Sequence, residues 1–265
     1  MKADDATQRR EQATSEQAGL EQAGLEQAGL EQAGLEMENF VIHDIIWDAG
    51  GTLFDTYPAV TQAFDAALRE FGAQIPLEQI LQLARESTHY AISILAHETG
   101  IDADALESAF RRRYNAIGPE AQPPFPGVKE VCAAICARGG RNFIVTHRGR
   151  DSLNALLAAH GMEAYFSDSI TAEDPFPRKP DPTALNALVA RHGLTPATTL
   201  LIGDRALDLQ AGRAAGMRTC LFEAGPDSKA APEPADLVVT SFPTLLERLS
   251  PASDFPHASG ANSPL

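Results

Sequence analysis

Three apolar, β-branched runs in this chain each end in a residue able to do chemistry. The run FVIHDIIWD ends at Asp48, and Gly50, Gly51 and Thr52 follow at once. The run NFIVTH reaches Thr146, with His147 and Arg148 next, and TLLIGD closes on Asp204, with Asp208 one helical turn later. Lys179 lies in the loop AEDPFPRKPDP, just before a helix-patterned stretch. A carboxylate carried out of a buried strand into a tight loop is placed as a nucleophile or a metal ligand. Two such carboxylates, Asp48 and Asp204, suit a divalent cation between them, while a hydroxyl and an ammonium suit the oxygens of a phosphoryl group.

The elements that must position these residues follow from the pattern. Short apolar runs bounded by turn residues, each followed by a helical spacing, predict an α/β domain with a parallel sheet covered by helices on both faces. In such sheets ligands sit beyond the carboxyl ends of the strands, where all of the residues above fall. Between the first and second runs lie about 65 residues with no strand signal, only four helical spacings (PAVTQAFDAALREFG, PLEQILQLARES, YAISILAHETG, DADALESAFRRRYNAIG) and a closing proline-rich PEAQPPFPG. The expected organisation is therefore a core of residues 38–56 and 125–250, a helical insertion of 57–124, and two flanking tails, 1–37 and 251–265. The first tail repeats EQAGL four times over residues 16–35. A five-residue period turns successive leucines by about 140° and gives no apolar face, so this segment, like the Pro/Ser/Gly-rich C-terminal one, is expected to be disordered.

Composition narrows the partners. Acidic residues outnumber basic ones 36 to 21, for a formal charge of −15. That argues against broad nucleic-acid or anionic-membrane binding, while one local cluster of cations can still hold a small phosphorylated molecule. No apolar run has the length of a membrane span and the N-terminus lacks a signal-peptide core, so the expected compartment is the cytoplasm. Of the three cysteines, Cys132 and Cys136 share a helix face without a second ligand pair and read as packing residues.

Asp48 to Thr52, Thr146, Lys179 within RKPDP, and GDRALD together resemble the four motifs of the haloacid dehalogenase superfamily, in order and spacing, with the helical insertion where that superfamily carries its small cap. VTHRGR, FPRKPDP and GDRALDLQAG are most similar to its phosphoglycolate phosphatase-like branch. The resemblance implies a hydrolase of phosphoric monoesters. In it Asp48 attacks phosphorus, Thr146 binds the phosphoryl group, and Lys179 neutralises charge and orients Asp48. Asp48, the Gly50 carbonyl, Asp204 and Asp208 serve Mg²⁺, and Gly51, Thr52, His147 and Arg148 lie near the substrate.

One position departs from the family. The phosphatases carry an Asp where this chain has Gly50, and that Asp protonates the leaving oxygen. Its loss implies intact phosphate binding with slowed or redirected turnover, and His147 is a possible substitute acid. A catalytically impaired binder of phosphorylated ligands is the second reading. A dehalogenase is the third, because DAGGTLFD is similar to that branch's first motif. The insertion contains no lysine, which argues against the Schiff-base phosphonate hydrolases. Within it His89 and Tyr90 are candidate substrate contacts, while Arg111 to Arg113 read as a solvated helix face.

Overall fold

Every residue of DIIW, NFIV and TLLIG is buried, which is why these strands read as unbroken apolar runs without alternation. They are β1 (Asp44–Trp47), β2 (Asn142–Val145) and β4 (Thr199–Gly203) of a six-stranded sheet that also holds β3 (Phe166–Ile170), β5 (Arg218–Phe222) and β6 (Leu237–Val239). The computed structural model describes residues 41–225 and 234–249. The two predicted tails, 1–37 and 251–265, lie outside the described residues. All strand pairs are parallel, in the order β3-β2-β1-β4-β5-β6. β1 is thus central, and the order reverses between β1 and β4, the position at which an open parallel sheet leaves a crevice for a ligand.

Five of the helices cover this sheet: α5 (Val128–Ala137), α6 (Arg150–Ala159), α7 (Thr183–His192), α8 (Ala206–Ala214) and α9 (Phe242–Leu249). The insertion forms four more, α1 (Tyr57–Glu70), α2 (Leu77–Glu86), α3 (Thr88–Thr99) and α4 (Ala103–Asn115). Their ends are set by local chemistry. Ser87 and Asp102 accept from the backbone N–H groups of Tyr90 and Ala105 at the starts of α3 and α4, each at 2.9 Å, and Gly100 closes α3 in a left-handed conformation.

The insertion has a hydrophobic cluster of its own, built on Phe64, Leu68, Ile80, Leu95, Leu106 and Phe110, in which Phe64 stacks on Phe110 with ring centroids 4.0 Å apart. The outgoing and returning chains run side by side: Asp55 N–H donates to the Pro123 carbonyl at 2.8 Å and Phe125 N–H to that of Leu53 at 3.0 Å. From Ile42 onward the described residues, insertion and sheet alike, belong to one compact unit. Among the described residues no helix is long and apolar enough to cross a membrane.

Candidate active site

Asp48, Thr146 and Asp204 each occupy the first position past a neighbouring strand, β1, β2 and β4. Asp48 is fixed there by its N–H, which donates to the Ile202 carbonyl of β4 at 2.9 Å. The loop then turns on two 2.9 Å bonds, Gly51 N–H to the Phe54 carbonyl and Phe54 N–H to the Ala49 carbonyl. The Gly50 carbonyl takes part in neither. Gly51 has φ of 85°, and a Cβ there would lie 2.3 Å from Asp204 Oδ2 and 2.7 Å from the Tyr57 ring, so only glycine lets the loop close on that carboxylate. Gly203 does the same for Asp208, whose Cβ would be 2.3 Å from a Cβ at 203. Asp208 also caps α8, accepting from Arg205 N–H through Oδ2 at 3.2 Å.

The ammonium of Lys179 lies between two acids. Nζ is 2.6 Å from Asp48 Oδ1 and 2.6 Å from Asp208 Oδ1, and it donates to the Val145 carbonyl at 2.9 Å. All three side chains are 2% exposed or less. Burial pushes Asp48 up, but Lys179 and Arg205 outweigh it and hold the carboxyl below its ordinary value. Burial lowers Lys179, and Asp208 and Asp48 more than reverse this. At neutral pH the nucleophile candidate is therefore an anion paired with a cation.

Asp204 is differently placed. Its Oδ2 accepts from the Tyr57 hydroxyl at 2.5 Å, its Oδ1 from Thr52 at 3.4 Å, and Arg205 Nε stands 3.9 Å from Oδ1. Burial first, then the charges of Asp48 and Asp208 against the opposing pull of Arg205, push it up to about 7. Burial and Asp204 raise Tyr57 well above its usual value, so its hydroxyl keeps its proton and donates.

Three carboxyl groups (Asp48, Asp204 and Asp208) crowd against two cations (Lys179 and Arg205), and a bound divalent ion would favour their ionised forms. Among the described residues no three His, Cys, Asp or Glu side chains close into a metal cluster. The set that fits a hard divalent ion is instead Asp48 and Asp204 with the uncommitted Gly50 carbonyl, oxygen donors throughout. Asp208 is engaged by Lys179 and by the α8 N-terminus.

The remaining sequence-predicted residues fall as follows. Thr146 is buried and its hydroxyl accepts from Arg148 N–H at 3.2 Å, which leaves its proton to donate. His147 Nε2 accepts from the Lys179 backbone N–H at 3.0 Å. Burial, then Lys179 and Arg205, depress this imidazole to about 4. It is neutral at pH 7 and occupied as an acceptor of the lysine loop, which argues against its service as a substitute acid. Arg148 binds Tyr114 Oη (2.7 Å), Gln122 Oε1 (3.3 Å) and Ser152 Oγ (2.7 Å), all neutral groups. Its Nη2 also lies 3.9 Å from where a Cβ on Gly50 would stand. His89 and Tyr90 are exposed at the start of α3. Arg111 pairs with Glu107, and Arg112 and Arg113 with Glu70, on a solvated face. Sequence reasoning missed Tyr57 and Arg205. Arg205 stood inside GDRALD as a charge beside the expected ligand Asp204, whereas nothing local marks Tyr57.

Residues 45–222 match the family model described as haloacid dehalogenase-like hydrolase. A phosphoglycolate phosphatase of Aliivibrio fischeri is 30% identical over 222 residues, 78% of this chain and 96% of that protein. A crystal structure of a hydrolase from Streptococcus pneumoniae TIGR4 is 33% identical, with a TM-score of 0.53 over 69% of this chain and 94% of its own. One of a predicted phosphoglycolate phosphatase from Haemophilus somnus 129PT shares the fold, at 21% identity and a TM-score of 0.67, over 78% of this chain and 97% of its own.

Proposed function

This chain belongs to the haloacid dehalogenase-like hydrolases, and on that premise we propose that it is a Mg²⁺-dependent phosphatase of a small phosphorylated metabolite, with Asp48 as nucleophile. The observation that carries the reading is the buried Asp48 carboxylate, 2.6 Å from Lys179 Nζ and held anionic at the head of the central strand. With Oδ1 engaged by Lys179, Oδ2 attacks phosphorus. The Asp48 O–P bond forms as the ester P–O bond breaks, and the leaving oxygen departs with its electron pair. Water then attacks the aspartyl phosphate, releasing inorganic phosphate and regenerating the Asp48 carboxylate. Thr146 donates to the phosphoryl group, and Lys179 stabilises its charge. Bound Mg²⁺, held by Asp48, the Gly50 carbonyl and Asp204, would supply positive charge against the phosphoryl oxygens.

The leaving oxygen must find its proton without an acid at residue 50. The groups nearest that position are the Thr56 hydroxyl and the Arg148 guanidinium, and neither is a carboxyl. General acid help is worth about 10²–10⁴-fold, or roughly 3–5 kcal/mol of barrier. Aryl and acyl phosphates, whose leaving groups need little protonation, are therefore the favoured substrates, and alkyl phosphates are slow. The same observation supports a second reading, a binder of phosphorylated ligands that turns nothing over. The helices of 57–124 act as the cap over the site in both. The cysteines among the described residues, Cys132, Cys136 and Cys220, are free thiols, in keeping with a reducing cytoplasm, where we place the protein.

The test is steady-state hydrolysis of alkyl, aryl and acyl phosphates with and without Mg²⁺, for wild type, Asp48→Asn and Gly50→Asp. Aryl and acyl turnover that requires both Mg²⁺ and Asp48 is expected. No turnover of any phosphate by wild type sinks the enzyme reading. Release of halide from a 2-haloacid without metal supports the dehalogenase reading instead.

A further inference from the structure

We propose that Tyr57 is a positioning residue for the divalent-cation site. Its hydroxyl fixes Asp204 through Oδ2 and leaves Oδ1 as the oxygen that meets the ion. The inference rests on the cation-dependent reading above and adds a residue from outside the four motifs. Tyr57 opens α1, and its hydroxyl reaches a carboxylate on the far side of the loop at 2.5 Å. That bond is much shorter than the Thr52 contact to Oδ1 at 3.4 Å, so the two oxygens of Asp204 are unequal: one is held, the other lightly touched. A second observation shows the loop built around this pair. Any side chain at Gly51 would strike both Asp204 Oδ2 and the Tyr57 ring, so the absence of a Cβ there is what allows tyrosine and carboxylate to meet.

The ring of Tyr57 has separate work. It lines a cavity of about 700 Å³ with Asp55, Thr61, Gln62, Arg85 and Phe125, and the Arg85 guanidinium lies over it, 5.7 Å from the centroid. Phenylalanine would keep the ring, the cavity wall and the cation–π contact and lose only the bond to Asp204. That separates positioning from packing. An outer hydrogen bond that orients a metal ligand is typically worth 10–100-fold in metal affinity.

The experiment is calorimetric titration of the substrate-free, full-length protein with Mg²⁺, repeated with Mn²⁺ followed by paramagnetic resonance, for wild type, Tyr57→Phe and Asp204→Asn. The expected result is a Kd raised about tenfold or more in Tyr57→Phe, binding abolished in Asp204→Asn, and a metal-free melting temperature in Tyr57→Phe close to that of wild type. A Kd in Tyr57→Phe within twofold of wild type, or lower, overturns the role of Tyr57 while leaving the cation site standing. If wild type takes up neither ion, the cation reading itself falls and the inference with it.

Discussion

His147 shows how a residue's chemistry is decided by what it touches. Beside Thr146, for which we propose a phosphate contact, an imidazole reads as an acid, and its sequence position supports that reading. Its Nε2 instead accepts from Lys179 N–H at 3.0 Å, and burial and the neighbouring cations keep the ring neutral down to about 4. His147→Ala removes the acceptor that holds the lysine loop. Activity is expected to fall about tenfold, the scale of one net hydrogen bond, with the neutral part of the pH–rate profile unchanged. Loss of a limb near pH 6–7 would show that the ring titrates in catalysis after all. Gly50 is the converse case, legible in sequence but not in its surroundings. Its φ is not in the left-handed region, and a Cβ would meet Thr56 Oγ1 at 3.1 Å, so Gly50→Asp fits the loop with a small shift of one side chain. The new carboxylate would sit between the Thr56 hydroxyl and Arg148. Alkyl phosphate turnover is expected to rise by at least tenfold, within the range of general acid catalysis, with aryl turnover little changed. Equal gains on both classes would mean that protonation was not what the glycine removed.

At the scale of elements, the strands were legible because burial on both faces leaves apolar runs, and the insertion helices because their apolar spacing, caps and glycine stops agree. What was not legible is how distant elements are tied. Tyr57 meets Asp204 across 147 residues, and no periodicity encodes that. Asn142 is a second example. Fully buried at the start of β2, it looks from sequence like a polar strand boundary. In the fold its Nδ2 donates to the Cys132 carbonyl at 3.0 Å and the Tyr165 carbonyl at 3.3 Å, while its Oδ1 accepts from Trp47 Nε1 at 3.0 Å. One amide thus joins β1, α5 and the approach to β3. Asn142→Ala leaves a buried indole N–H and two carbonyls without that partner, at about 1–3 kcal/mol for each unsatisfied group before relaxation. A loss of roughly 2–4 kcal/mol in urea denaturation is expected. A loss under about 0.5 kcal/mol, the size of an ordinary surface change, would mean that these groups find other partners.

Across the whole molecule, acid groups decide where stability is lost. With a formal charge of −15, the fold relies on individual carboxylates being placed against donors. Asp168 accepts from Arg191 at 2.6 Å and pairs with His192 at 2.8 Å, tying β3 to α7. Asp236 accepts from Thr219 N–H at 2.8 Å and Thr219 Oγ1 at 2.9 Å, tying the start of β6 to β5. Burial pushes each up. His192, Arg191 and Ser169 N–H outweigh it at Asp168, and the Thr219 donors and Arg218 outweigh it at Asp236, so both end below the ordinary carboxylate value. A carboxylate lowered on folding stabilises fully above its unfolded value, and that contribution disappears as pH falls through the lower, folded one. The window therefore lies below about pH 4, the unfolded value for aspartate. Asp236→Asn keeps the shape of the side chain but cannot gain from ionisation. At pH 7 it is expected to lower the unfolding free energy by about 1 kcal/mol, the worth of a charge-assisted bond over a neutral one. The gap between wild type and variant should then shrink as wild-type Asp236 takes up its proton towards pH 3. Urea titrations of both proteins at pH 7, 5, 4 and 3 measure this directly, and a gap that stays constant across the series would show that the charge on Asp236 does not hold β6 to the sheet.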